Sequence, residues 1–308
     1  MAELTRGLKV LVSSEVLLAL SIVVGIAVPP VSRLLGPWLY TFVFFLMLFS
    51  ALATDLRSAV PDRHASGRLV KVLGWQMILL PALIGAWHRF APGSGQWSEL
   101  MFLTACGGTI FGAPAFARVM RLDTMLTLRG VLAGTLLMPL VLPLLAQIFT
   151  TRTGAFDFGG YALRFLVFIV VPLAVAGIYQ SRRPAGPAPA AGLFNRLTIF
   201  FLVLFGVAVM DGIGERFLDK PWPMLGLLGF ALAVHAVFLG LSALIFLRWG
   251  GREALTAGLL SGYRNMALLL AVGGSLLPPD FVVYVALWQI PMFVTPLVVR
   301  LAAPPRSG

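Results

Sequence analysis

Ser261-Gly262-Tyr263-Arg264-Asn265 interrupts an apolar run that extends from Ala254 to Leu277. Arg264 stands ten residues after the start of that run and thirteen before its end. A charge at the centre of a membrane helix costs about 2.5–3.5 kcal/mol on insertion scales, so it faces a cavity or a partner rather than lipid. Gly262, two positions earlier, lets the backbone leave helical geometry at little steric cost. The stretch therefore reads as the broken centre of a membrane helix, with Arg264 aimed at a polar site.

Working outward, the whole chain has this apolar character. Of its 308 residues, 59% are hydrophobic and 11% charged, and the mean hydropathy is +0.95. A soluble domain carries about 25% charged residues, so too little polar surface is available to face water. Apolar segments of about twenty residues suit membrane-spanning helices, and no run of period-two alternation suggests a barrel. The first segment lacks a small-residue cleavage site and is expected to be retained as a span. The net charge of +11 fits lysine and arginine gathered in cytoplasmic loops. No basic cluster with interleaved aromatics argues for nucleic acid. A single cysteine, Cys106, excludes an internal disulfide and a cysteine metal cluster.

Ten spans are expected, at 12–30, 38–54, 69–88, 98–118, 124–149, 161–180, 194–212, 223–247, 253–277 and 280–302. With the N-terminus inside, sixteen of the 23 lysines and arginines fall in cytoplasmic segments and six outside, and Arg264 lies within the membrane. That bias predicts a multi-pass protein of a bacterial inner membrane with both termini cytoplasmic.

The one linker-like stretch is 181–193, with Pro184, Pro187 and Pro189. It is expected to separate a first five-helix repeat, 1–180, from the remainder of a second, 194–308, with the sixth span (161–180) counted to the second. Two halves of five spans enter the membrane in opposite orientations, as an inverted repeat. The fifth span carries Pro139 and Pro143, and the tenth Pro291 and Pro296. The fourth holds Gly107-Gly108 and Gly112-Ala113-Pro114, and the ninth Gly262 and Gly273-Gly274. Glycine- or proline-interrupted spans at matching positions point to a transport site at the midplane. The expected fold class is thus all-α, with broken helices 4 and 9 crossing.

Half-helix N-termini carry positive partial charge, and Arg264 adds a full one, so an anion such as a carboxylate is the expected ligand. Three other roles stay open for Arg264: pairing with Glu15 or Asp211, capping broken-helix carbonyls, or gating. Asn265 both donates and accepts hydrogen bonds and is expected to line the crossing. Tyr263 is a candidate ligand contact or an interface anchor. Gln76 is the strongly polar group of the third span, for the site or for an interhelical hydrogen bond. His235 and Glu15 are candidate proton carriers, although a lone histidine is more often a packed group. Asp123 and Asp280 read as N-caps. No metalloprotease, nucleophile-elbow or P-loop motif is present, so neither an enzyme nor a direct ATP motor is expected.

Taken together, Gly262-Tyr263-Arg264-Asn265 with Met266-Ala267-Leu268 resembles the Gly-Met-Gln-Asn-Ser-Gly-Leu pattern of the bile acid:sodium symporter family. That family lies in the wider group that includes arsenite exporters and auxin-type carriers. The resemblance runs along nearly the whole chain and is clearest at Phe44–Leu56, Gly107–Pro143 and Arg252–Val299. It implies a core domain of helices 3–5 and 8–10, a panel domain of helices 1, 2, 6 and 7, and an anion cavity between them. Members bind two sodium ions through side-chain oxygens. Here the family's Ser-Asn pair falls on Ala113-Pro114, its threonine on Val131 (with Thr127 a turn earlier), its glutamate on Leu260 and its glutamine on Arg264. Only Gln76 and Asn265 match.

A guanidinium in place of sodium repels that ion by roughly 4 kcal/mol at 4 Å and an effective dielectric of 20. The expected function is therefore sodium-independent secondary transport of an organic anion, with Arg264 as a fixed substitute for the cation and no other cofactor or metal. Arg264, Asn265, Tyr263, Ala113, Pro114, Thr127 and Gln76 are expected to bind the substrate. Beyond that small organic anion and membrane lipid, no partner is expected. The arsenite branch is disfavoured for want of a crossover cysteine–glutamate arrangement. The alternative is a membrane sensor that keeps the fold without transporting.

Overall fold

The computed structural model describes residues 14–57, 63–91, 95–150, 157–183 and 190–302. Among them the chain is helical, without strands. Its helices are α1 (Ser14–Ala27), α2 (Pro29–Leu35), α3 (Leu39–Ala53), α4 (Arg63–Leu73), α5 (Leu80–Phe90), α6 (Gln96–Cys106), α7 (Ala113–Val119) and α8 (Thr124–Phe149). After them come α9 (Phe158–Phe165), α10 (Val171–Ser181), α11 (Ala191–Ala208), α12 (Ile213–Asp219), α13 (Pro221–Ile245), α14 (Gly251–Gly262), α15 (Met266–Gly273) and α16 (Phe281–Ala302). Six continuous helical stretches are long and apolar enough to cross a membrane, and shorter apolar helices accompany them. The chain is a membrane-embedded protein.

All ten expected segments are helical, and two are interrupted where glycine and proline cluster: between α6 and α7, and between α14 and α15. Two further joints are π turns, Gly74–Leu79 between α4 and α5 and Leu166–Val170 between α9 and α10. Each precedes a proline at the second position of the next helix, Pro81 and Pro172. A proline has no N–H to give the preceding turn, and the wider π turn absorbs the missing bond.

The expected cap at Asp123 is present: its Oδ1 accepts from the N–H groups of Met125 (3.0 Å) and Leu126 (2.9 Å). Asp280 differs, because its Oδ1 accepts from Arg216 Nη1 at 3.2 Å. The stretch 181–193 follows the sixth expected segment, and 184–189 lie outside the described residues.

Packing falls into two groups. In one, α3 lies against α10 and α11, and α1 against α11. Phe45, Phe49 and Phe201 stack there, with the Phe45 and Phe201 centroids 5.0 Å apart. In the other, α13 lies against α14 and α16, and α8 against α4, α5 and α7. The groups meet through α1 on α16, α9 on α15 and α3 on α15.

Candidate functional site

The two interruptions lie side by side. Inside a membrane their main-chain groups have no water to bond, so the protein must satisfy them. It does so by pairing one break with the other. The Asn265 N–H donates to Gly108 O at 2.6 Å, and the Ile110 N–H to Tyr263 O at 2.9 Å. Thr109 and Arg264 thus face each other across a short antiparallel bridge. Thr109 Oγ1 donates to Leu260 O (2.7 Å), one of the last carbonyls of α14. A Cβ on Gly108 would stand 3.3 Å from Gly134 O, so α8 passes close behind the crossing.

Arg264 completes this pairing. Its side chain is fully buried. Nη1 donates to Gly107 O at 2.7 Å and Nη2 to Gln76 O at 3.1 Å. Met77 Sδ lies 3.9 Å from Nη1, and the Phe238 ring centroid 5.6 Å from the guanidinium carbon. The Gln76 carbonyl is available for a local reason. In the π turn the Leu80 N–H bonds Trp75 O, and the next residue, Pro81, has no N–H. One guanidinium therefore ties the third, fourth and ninth expected spans together.

No described carboxylate lies within salt-bridge distance of Arg264. Asp211 is exposed and sits beside Gly36, while the Glu15 side chain lies outside the described residues. Of the roles open to Arg264, its hydrogen bonds match the capping of open helix carbonyls. A cation held by uncharged groups alone keeps its full charge, which anions at this depth feel strongly because the interior screens poorly.

No family model matches the chain, and no curated protein matches it.

The other expected site residues divide. Asn265 caps α15, its Oδ1 accepting from the Leu268 N–H at 3.0 Å, while Nδ2 lies 3.9 Å from Met47 Sδ of α3. Gln76 is buried beside Gly134, and neither its Nε2 nor its Oε1 has a hydrogen-bond partner. Tyr263 is buried between Phe116 (5.2 Å) and His235 (5.1 Å). Ala113 is buried and Pro114 half-buried at the start of α7, just past the crossing. His235 packs edge-on against Tyr263 and Trp288, and neither ring nitrogen makes a hydrogen bond.

Thr127 stands apart. Its hydroxyl donates back to Asp123 O (2.7 Å), in a turn docked on α14 through Asp123 N–H to Thr256 Oγ1 (3.1 Å). The part of α8 that meets the crossing is Gly134-Thr135, roughly 10 Å further along at 1.5 Å per residue. Thr135 Oγ1 is buried there without a partner. Thr109, Thr135 and the carbonyls of Gly107 and Gln76 escaped sequence reasoning. Two signals pointed to them: Thr109 lies inside the glycine cluster, and Pro81 marks an orphaned carbonyl upstream.

Proposed function

We propose that the chain is a secondary transporter of a carboxylate-type organic anion that works without sodium. The observation that carries this is Arg264, a buried cation whose bonds go to main-chain oxygens at the crossing of two broken helices. Oxygens of that kind are what a hard cation such as sodium requires, and here a guanidinium uses them. Its charge, uncompensated by any described carboxylate, favours an anion. The unpartnered side chains of Gln76 and Thr135 and the cap residue Asn265 supply polar groups beside it.

In this proposal all ten segments cross, as two inverted repeats with both termini cytoplasmic, in a bacterial inner membrane. The group containing α13–α16 acts as the core and that containing α1, α3, α10 and α11 as the panel. The two rock against each other about contacts such as Met47 with Asn265, opening the crossing to each side in turn. His235 is the candidate proton carrier.

Uptake of radiolabelled carboxylates into proteoliposomes, with and without a sodium gradient, tests this. Accumulation is expected to be equal in both. Strong stimulation by sodium overturns the sodium-independent mechanism, and failure of every carboxylate to exchange overturns transport of this class.

A further inference from the structure

Away from the crossing, at the end of α10, a cavity of about 430 Å³ is lined by Val175, Ile178, Tyr179, Arg182 and Arg183. Its wall and its mouth differ in chemistry. Val175 and Ile178 are 42% and 55% exposed and belong to Phe158–Ser181, a stretch apolar and long enough to cross a membrane. Their outer faces suit hydrocarbon. One turn further the helix ends at Arg182, where two guanidinium groups border the opening.

The basic end is preformed. Arg183 Nη1 donates to Tyr179 Oη at 2.7 Å, and its guanidinium carbon lies 4.8 Å from the centroid of that ring. Phe194 of α11 braces the same ring edge-on at 5.5 Å. Gln180 stitches the turn to the end of α3: its Nε2 donates to Thr54 O (2.6 Å), and its Oε1 accepts from the Leu56 N–H (3.0 Å). Arg57 donates to the carbonyls of Gln180 and Arg183. Arg182 borders the opening, is exposed, and makes no bond to any described residue.

We propose that this cavity binds an anionic phospholipid, with its phosphate at Arg182 and Arg183 and an acyl chain along Val175 and Ile178. Guanidinium groups engage phosphate oxygens through paired charge-assisted hydrogen bonds, and basic pockets between membrane helices hold such headgroups. A free phosphate would use the arginines and leave the aliphatic wall uncovered. The proposal does not depend on transport.

Native mass spectrometry of the purified full chain, supplemented with phosphatidylglycerol or phosphatidylcholine, tests it. Phosphatidylglycerol adducts are expected to persist where phosphatidylcholine adducts dissociate. Each arginine near an anionic headgroup contributes roughly fivefold in affinity, so Arg182→Gln lowers retention by that factor, R182Q/R183Q lowers it further, and Arg182→Lys keeps most of it. Ile178→Trp fills the cavity, leaves both charges in place and also lowers retention. Thermal unfolding without added lipid checks that each variant folds; where the double variant does not, Arg182→Gln and Ile178→Trp carry the test. Equal retention of the two lipids, or retention unchanged in both single variants, overturns the proposal. Displacement by millimolar glycerol phosphate, with Ile178→Trp silent, overturns it in favour of a soluble phosphate ester.

Discussion

Arg264 Nη2 donates to the main-chain carbonyl of Gln76 at 3.1 Å, a carbonyl that its own helix leaves open. The π turn before Pro81 removes both N–H groups that would serve it: Leu80 bonds Trp75 instead, and a proline has none to give. The same guanidinium takes Gly107 O at the end of α6. Two unrelated helix defects are thus closed by a single side chain from a third.

That pair of hydrogen bonds makes Arg264→Lys and Arg264→Gln separable. A lysine ammonium keeps the charge but is a compact point donor without the planar fork, so it reaches one carbonyl and leaves the other short. An unsatisfied buried acceptor costs about 1–3 kcal/mol. Arg264→Lys is expected to lose stability in that range and keep measurable anion binding. Arg264→Gln is expected to lose binding altogether. Thermal unfolding in detergent and equilibrium binding of a carboxylate distinguish them, and Arg264→Gln with unchanged affinity would return Arg264 to a purely structural role.

Sequence patterning located the helices better than it located their partners. Thr124–Phe149 coincides with its expected span because an aspartate cap begins it and Arg129 is the one charge within it. Both interruptions were legible from polar or glycine-rich residues set inside apolar runs: Gly107-Gly108 and Gly112-Ala113-Pro114 in one, Gly262 with Arg264-Asn265 in the other. The ligands of Arg264 were not, since main-chain carbonyls have no letter in a sequence. Thr127 is expected at the site from its place a turn before Val131, yet the crossing meets α8 two turns later, where Gly108 lets its backbone approach the Gly134 carbonyl.

Gly258 tests the packing that holds the broken ninth segment. A Cβ there would stand 2.6 Å from Leu239 O and 3.2 Å from Ala243 Cβ. The first obstacle is backbone, so α14 must shift away from α13 to admit even a methyl group. Gly258→Ala is expected to destabilise by about 1–3 kcal/mol, the range of overpacked cores. Gly240→Ala is the control, because nothing lies within 4 Å of its Cβ. A similar fall in melting temperature for both would refute the close approach of α13 and α14.

His235 separates packing from proton carriage. It is held edge-on by Tyr263 (5.1 Å) and Trp288 (5.7 Å) and makes no ring hydrogen bond. His235→Phe therefore preserves the aromatic contacts and, because phenyl is larger than imidazole, is expected to cost about 1–3 kcal/mol, the range for overpacked cores. In proteoliposomes it is expected to abolish accumulation driven by a pH gradient and to leave anion exchange intact. Undiminished pH-driven uptake would remove His235 from the coupling path.

Asn265 offers the sharpest separation of fold from function. Its Oδ1 caps α15 by accepting from the Leu268 N–H at 3.0 Å, a role that aspartate fills equally well. Asn265→Ala is expected to cost about 1 kcal/mol, while Asn265→Asp should unfold at or above the parent temperature. Aspartate also places a carboxylate in the residue next to Arg264, and at an effective dielectric of 20 the attraction of two such charges is on the order of 2 kcal/mol. That attraction supplies internally the negative charge that the proposed anion would bring. Asn265→Asp is thus expected to yield a stable protein whose affinity for carboxylates falls by roughly thirtyfold, since each 1.4 kcal/mol is tenfold. Calorimetric titration of the parent and both variants reads this directly. A folded Asn265→Asp that binds carboxylates as tightly as the parent would mean that the charge of Arg264 plays no part in attracting them.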